Sequence, residues 1–383
     1  MRVGLVTWWS SPNYGTVLQA YALYHALEKF GCKAYIVTFH RQHFGWKYWI
    51  KIALSLTGVM KIRRWWIKKQ KLARTNGNNE TNSQCGNDMP RYMSWCQSAF
   101  VVCELRYPWS WPLLVATTDC FVSGSDQIWN TFYKGFNPHM FLDCVGNAKR
   151  IAYSSSIGTQ GVNPTYANKV KEWLSKYYRI GVREDTGVEA LKALTGREDI
   201  VQVLDPVFLL SAEEWREFSC PVNMPELSEC MVCYMLGDKL EYSRQVEQVR
   251  LQFGLKNVIV ISSIERPDFN VPRGACVSNL SPPEFVYLLD SASIVCTDSF
   301  HATCLSLILR KNIVVFKRFS DGDAASQNSR IYDLLDMFGL RERIYGDGNN
   351  DGWKKQIDWD RVYSVIQQRK TFSIRFLETS IRE

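Results

Sequence analysis

The sequence predicts an α/β fold with parallel sheets, arranged as two domains in tandem with a cleft between them. Three observations carry this. Short β-branched runs alternate with helical patterns along the chain. The alternation lapses once, from Asp205 and Pro206 to about Pro225, and then restarts. With 383 residues the chain can bury two cores without disulfides or structural metals.

The elements follow in order. Residues 3–8 read as a strand. Residues 16–30 read as a helix, with Val17, Leu18, Tyr21, Leu23, Tyr24 and Leu27 apolar and Gly31 ending it. Further strands are predicted at 34–39, 120–122, 151–154, 180–182 and 201–204, with helices at 166–178 and 184–194. After the lapse, strands fit at 231–236, 258–261, 293–296 and 313–316. Helices fit at 241–253, 282–290, 302–309 and 331–338. Ser281 and Glu284 have capping-box spacing around Pro282 and Pro283. This divides the chain into a first domain, 1–212, a linker, 213–225, a second domain, 226–350, and a last segment, 351–383, whose helix is expected to cross back onto the first domain. No residue-level repeat is visible.

Composition narrows the class. Apolar residues at 46% and charged residues at 22% are those of a globular chain, not a disordered one. No run reaches the roughly 18 uncharged apolar residues of a membrane span. The segment 1–9 lacks a signal-peptide core, so a cytoplasmic protein with reduced thiols is expected. Of the 12 cysteines only Cys230 and Cys233 have CxxC spacing. They lie in an apolar run that reads as a buried strand, and no second pair or nearby His completes a zinc site. No metal is expected.

The charge is local. The net charge is +8, yet 41–74 holds ten Lys or Arg and no Asp or Glu, so the rest carries about −2. Trp46, Trp49, Trp65 and Trp66 interleave with these cations. Such a pattern suits a helix lying on an anionic membrane surface, at about 1 kcal/mol per cation. It also fits a helical cap with a solvated basic face, or a nucleic-acid surface; nucleic acid is not expected. Residues 76–87 are Asn-rich and read as a loop, and 41–115 as a basic, aromatic helical insertion between two strands.

Ligands of parallel α/β sheets sit outside the carboxyl ends of the strands. The first strand leads into Asn13, Tyr14, Gly15 and Thr16, with Gln19 one turn on. The third leads into Ser125, Asp126 and Gln127, and the fifth into Arg183 and Glu184. In the second domain Asp298, Ser299 and His301 open a helix, and Lys317 and Arg318 follow the next strand. Two helix N-termini with Arg, Lys and His beside them favour a small anion bearing carboxylate or phosphate. His301 at a helix start is expected to be neutral, able to donate to phosphate or accept a proton. His25, His40, His43 and His139 show no partner pattern.

The ordered set of these motifs resembles the polysaccharide pyruvyl transferase family. The resemblance rests on 13–23, on 124–130, on Ser156-Ile157-Gly158, on Val182-Arg183-Glu184 and on Leu204-Asp205-Pro206. It continues through Thr297-Asp298-Ser299-Phe300-His301-Ala302 and Asn328-Ser329-Arg330-Ile331. It covers most of the chain and leaves the basic insertion outside. It implies two Rossmann-like domains similar to GT-B glycosyltransferases. It also implies transfer of pyruvate from phosphoenolpyruvate, the co-substrate, to two sugar hydroxyls as a cyclic ketal, with no further cofactor. Arg183 and His301 are then expected at phosphoenolpyruvate, with Lys317 as third member. Some members have Arg where this chain has Ser299; Arg318 or Arg330 is expected to supply that cation. Asp126 or Asp298 is the expected base on the sugar, though Asp298 reads equally as a helix cap. The implied acceptor is a sugar or a lipid-linked oligosaccharide at the inner membrane face, where 41–74 would dock the protein. The other readings of the cleft are a glycosyltransferase using a nucleotide sugar and an anion-binding scaffold without turnover.

Overall fold

A computed structural model describes residues 1–11, 13–39, 91–105, 110–224, 227, 229–237, 239–262, 271, 274–320, 326–346 and 352–383. The readings of 41–74 as a membrane-docking helix and of 76–87 as a loop lie outside these residues, as do His40 and His43.

The first sheet is built from β1 (Arg2–Val6), β2 (Lys33–Phe39), β3 (Val102–Leu105), β4 (Cys120–Ser123), β5 (Lys149–Ser155), β6 (Arg179–Val182) and β7 (Val201–Gln202). Its order is β3-β2-β1-β4-β5-β6-β7, and the paired strands run parallel. The second sheet holds β8 (Cys230–Tyr234), β9 (Asn257–Ile261), β10 (Gly274–Val277), β11 (Ile294–Thr297) and β12 (Asn312–Val315). Its order is β10-β9-β8-β11-β12, also parallel. The two parallel sheets predicted from the alternation are therefore present. Each reverses direction once, between β1 and β4 and between β8 and β11, and such a switch point opens a crevice.

Helices cover the faces: α1 (Tyr14–Lys29), α2 (Arg91–Ala99), α3 (Ser110–Ala116), α4 (Ala167–Ser175), α5 (Asp185–Thr195), α6 (Ala212–Phe218), α7 (Tyr242–Gln252), α8 (Pro282–Ser291), α9 (Phe300–Ile308), α10 (Ser329–Phe338) and α11 (Trp359–Arg382). α5 ends at Gly196, in the left-handed region at φ 75°. β4, β8 and β11 are buried along their whole length, as strands covered on both faces must be. Cys230 and Cys233 are among those buried residues.

Three boundaries differ from the sequence reading. β3 lies inside 41–115, so part of the stretch read as a helical insertion is an edge strand paired with β2. α6 occupies much of 213–225, read as linker; Ser211 and Glu214 form a complete capping box at its start. The first strand stops at Val6, which releases Trp8 and Trp9 from the sheet.

One apolar cluster runs through both sheets, from Val3, Val17 and Leu23 to Val232, Leu305 and Leu377. α11 packs on the first sheet: Ser373 Oγ accepts from Leu204 N–H at 2.9 Å, and a side chain on Gly181 would strike Phe376. Among the described residues no helix is long and apolar enough to cross a membrane.

Candidate active site

The two switch points face one cavity of about 500 Å³. α1 and α9 meet head to head beside it. Gly15 opens α1 and His301 lies in the first turn of α9. A Cβ on Gly15 would stand 2.4 Å from His301 Nδ1, so only glycine admits the imidazole there. His301 lines the cavity. Its Nε2 lies 3.3 Å from Asp205 Oδ2 and 3.5 Å from Arg183 Nη1. The shorter contact joins complementary groups, so Nε2–H donates to Asp205. Burial pushes the Asp205 carboxyl up, but His301 and Arg183 outweigh it and hold it at about 2.

Arg183 sits behind this pair. Its Nε donates to Glu184 Oε1 at 2.8 Å and its Nη1 to Asp205 Oδ2 at 3.1 Å; Asp126 Oδ1 is 3.6 Å away. The guanidinium lies 4.2 Å from the centre of the Phe300 ring. Burial opposes its charge, yet the three carboxylates outweigh burial and raise its pKa. Arg183 does not line the main cavity. It backs His301, and carboxylates already take its Nε and Nη1. Its Nη2 is buried with no hydrogen-bond partner among the described residues.

The cations that do line the cavity are Arg318 and Arg330. Arg318 donates to Asp298 Oδ2 at 3.3 Å and to the Asp298 carbonyl at 3.1 Å. Arg330 donates from Nη2 to Gln327 Oε1 at 2.9 Å. With its oxygen turned to the guanidinium, the Gln127 amide accepts from Arg330 Nη1 at 2.9 Å. Burial, then Arg183, pushes Arg330 down to about 9; Asp126 and Glu184 act against this. A buried guanidinium with so depressed a pKa is short of negative charge around it.

Asp126 enters the cavity from the first sheet at φ 70°, a left-handed conformation that Asp tolerates better than most residues. Its carboxylate accepts from Thr16 Oγ1 at 2.9 Å and Gln127 N–H at 2.8 Å. Burial pushes its pKa up, and His301, Arg183 and Arg330 together hold it down. Asn13 and Ser299 also line the cavity, each capping its helix: Asn13 Oδ1 accepts from Gly15 N–H and Ser299 Oγ from Ala302 N–H. One N–H at each helix start is therefore already satisfied.

The remaining expected site residues stand behind the wall. Tyr14 stacks on Phe285 at 4.5 Å and donates to the Leu280 carbonyl, so it joins the two halves and does not face substrate. Gln19 is fully buried, donating to Thr7, Trp8 and Thr16 and accepting from Ser125 N–H. Ser125 Oγ donates to the Ser154 carbonyl at 2.9 Å. Asp298 accepts from Leu236 N–H at 2.8 Å, Gly237 N–H at 2.7 Å and Tyr242 Oη at 3.1 Å. It spans the second switch point and holds Arg318. It is more than the helix cap of one reading, and its bonds leave it no place as a base in the cavity. Lys317 borders a separate small cavity, which Arg318 also lines, and of the two only Arg318 lines the main one.

Asp205, Glu184, Thr16 and Gln327 were not singled out as site residues. Asp205 carried a usable signal, a carboxylate between a strand and Pro206 within a family motif. Glu184 stands at the start of the predicted helix 184–194 and is buried against Arg183. His139, read as unpartnered, pairs with Asp143 at 2.7 Å beside Cys144, and their ligand atoms lie within 4.8 Å of one another. Spacing of four and five residues along one turn was the available signal.

A sequence model described as polysaccharide pyruvyl transferase matches residues 13–318. A search of curated proteins finds no match. Among solved structures the chain is similar to UDP-GlcNAc 2-epimerase from Neisseria meningitidis, at 10% identity and TM-score 0.46, covering 98% of this chain and 99% of that one. It is similar to an alpha-glucosyltransferase in complex with UDP and DNA, at 9% identity and TM-score 0.47, covering 100% and 95%. It is also similar to MurG from Acinetobacter baumannii, at 8% identity and TM-score 0.42, covering 100% and 99%. The likenesses to solved structures reach the arrangement of the chain and no further. The family match runs from the start of α1 through β12 and holds Asp126, Arg183, Asp205 and His301, and the chain is accordingly a transferase that belongs to the polysaccharide pyruvyl transferase family.

Proposed function

We propose that the protein transfers the pyruvyl group of phosphoenolpyruvate to two hydroxyls of a sugar as a cyclic ketal. The observation that carries this reading is the pair of guanidiniums, Arg318 and Arg330, that line the cavity together with His301. A dianionic ligand would relieve that excess of positive charge. Phosphoenolpyruvate brings a carboxylate and a phosphate, and Arg318 and Arg330 offer two forks. Asp298 takes the Leu236 and Gly237 N–H groups at the second switch point, two donors that a nucleoside diphosphate would otherwise use there. This favours phosphoenolpyruvate over a nucleotide sugar.

In this reading a proton reaches the methylene carbon, which leaves an oxocarbenium-like centre at C2. One sugar hydroxyl attacks C2, phosphate departs, and the second hydroxyl closes the ring. The two hydroxyls lose two protons; the new methyl group balances one, and the other leaves with phosphate. Asp126, on the opposite wall, takes a hydroxyl proton. His301, fixed by Asp205, moves the proton at C3 or phosphate, a role worth about 10²–10⁴-fold. Arg318 and Arg330 stabilise the charge that gathers on phosphate.

The acceptor is proposed to be a lipid-linked sugar at the inner face of the membrane, with 41–74 docking the protein to anionic lipid. Deleting 41–74 would then abolish binding to vesicles containing anionic lipid; unchanged binding rejects that part. For the reaction, the protein is incubated with phosphoenolpyruvate and a membrane extract of lipid-linked sugars. Phosphate release and the mass of the acceptor are read. A pyruvyl ketal that forms with wild type and is lost in His301→Ala supports the reading. Turnover of a nucleotide sugar, with no binding of phosphoenolpyruvate, replaces it with the glycosyltransferase.

A further inference from the structure

The cavity has two unlike walls. Among the described residues its lining guanidiniums, Arg318 and Arg330, stand with His301 on the side of the second sheet. The wall beyond the carboxyl ends of β1, β2 and β4 carries Trp8, Trp9 and Tyr133. Among the described residues its one charged lining residue is the Asp126 carboxylate.

These rings are held at the cavity without being covered. Trp8 and Tyr133 lie 5.6 Å apart at 58°, and Tyr133 remains 52% exposed. Trp9 is anchored by its Nε1, which donates to Thr38 Oγ1 at 2.9 Å, and by an edge-on contact with Phe100 at 6.0 Å. Single exposed aromatics are ordinary; three converging at the mouth of a polar cavity mark a ligand surface. Around them stand Thr16, Thr38 and Asn137, neutral hydroxyl and amide groups. Asn137 spends its oxygen on His139 N–H at 3.1 Å, so its NH₂ is the donor that remains.

The charge pattern selects the ligand. Aromatic faces stack on a nucleobase or on the CH face of a sugar ring. A nucleotide would bring its phosphates against Asp126, with no lining cation among the described residues of this wall to hold them. A neutral pyranose brings an apolar face to the rings and hydroxyls to Asp126 and the amides. We propose that Trp8, Trp9 and Tyr133 form the stacking platform for a neutral pyranose ring of the acceptor, and that they position its hydroxyl pair toward Asp126 and the anion-binding wall. This rests on the pyruvyl-transfer reading for the meaning of the ligand, not for its binding.

The test uses the full chain and a panel of methyl pyranosides differing in ring stereochemistry, with uridine as the competing probe. Saturation-transfer NMR reads binding, and calorimetry reads phosphoenolpyruvate on the same samples. At least one pyranoside is expected to bind wild type and Tyr133→Phe, which keeps the ring face. Affinity is expected to fall about tenfold in Tyr133→Ala and in Trp8→Ala, with phosphoenolpyruvate binding retained as evidence of folding. Equal affinity in the alanine variants, binding of no pyranoside, or uridine bound in their place overturns the platform. Loss of phosphoenolpyruvate binding in wild type alongside intact pyranoside binding overturns the donor reading and leaves the platform standing.

Discussion

Arg330 shows how a single side chain can advertise a ligand. Its pKa is held down to about 9, below the 12.5 of a free guanidinium, so the folded protein sheds that proton more readily than the unfolded chain. The charge therefore costs stability at every pH below about 9. Arg330→Gln removes it and is expected to stabilise the ligand-free protein by on the order of 1 kcal/mol, read as a higher melting temperature. The same variant should lose the rise in melting temperature that phosphoenolpyruvate gives wild type. A variant that melts lower and still responds to phosphoenolpyruvate contradicts both halves of the argument. Gly15 makes the complementary case. Gly15→Ala puts a methyl group 2.4 Å from His301 Nδ1, and Asp205 keeps the ring from retreating. It is expected to cost about 1–3 kcal/mol of stability and to slow phosphate release about a hundredfold. An unchanged rate would place His301 outside the reaction. His301, Asp126 and Arg330 were legible in the sequence because each follows a strand or opens a helix. Asp205 was less so, since its importance comes from burial beside residues 22 and 96 positions away, which no local pattern encodes. The same limit explains Tyr14, Gln19 and Ser125, whose polar atoms read as ligands and prove to be spent on the protein itself.

The elements that sequence made visible are those buried on both faces. β4, β8 and β11 are unbroken apolar runs, and α5 closes on a glycine. The edge strands β3 and β10 were missed because an edge is defined by its neighbour. β3 carries Glu104, and β10 begins at Gly274 and is half exposed, so neither has an apolar run to read. α6 was missed inside the linker although Ser211 and Glu214 spelled its cap. Contacts between elements are likewise not encoded locally, and the junction of α5 with α10 is an instance. Asp333 of α10 accepts from Thr186 N–H at 3.1 Å and from Thr186 Oγ1 at 2.9 Å, so it caps α5 from outside its own chain segment. Burial raises the Asp333 pKa; Glu184 and Asp185 add to the rise, and the Thr186 bonds oppose it. A carboxyl raised in the folded state penalises its charged form, so the cost is present at neutral pH and vanishes as pH falls through the folded pKa. Asp333→Asn keeps an acceptor for both Thr186 donors and loses the charge. It is expected to melt at or above wild type at about pH 7, with the difference shrinking toward about pH 4. A variant that melts well below wild type at both pH values would show that the α5 N-terminus needs the charge.

At the scale of the whole molecule the cleft is a seam in one core. The apolar cluster crosses from the first sheet to the second, with Tyr14 at the crossing. Its ring lies 9° from parallel with Phe285 and meets Tyr92 and Tyr234 edge-on. α11 begins beyond the second sheet and ends on the first, where Arg179 reaches Glu383 at 2.7 Å. His301 and Gly15 come from opposite halves and touch only because this seam is closed. The site therefore depends on the halves folding as a unit, a dependence that two sequential α/β patterns do not reveal. Phe285→Ala removes the ring on which Tyr14 and Tyr234 pack and is expected to cost about 3–5 kcal/mol. Calorimetry of wild type and of this variant should each show one transition, shifted downward in the variant, because the loss is shared by both halves. Two separated transitions would show that the halves melt independently and that the seam adds little. Tyr14→Phe isolates the polar part of the same seam. It keeps the stack and loses the bond to the Leu280 carbonyl, at about 1 kcal/mol. Phosphate release by this variant should match wild type at temperatures where both are folded, since Tyr14 does not line the cavity. A rate that falls while the melting temperature holds would return Tyr14 to the substrate and mean that the halves part to admit it.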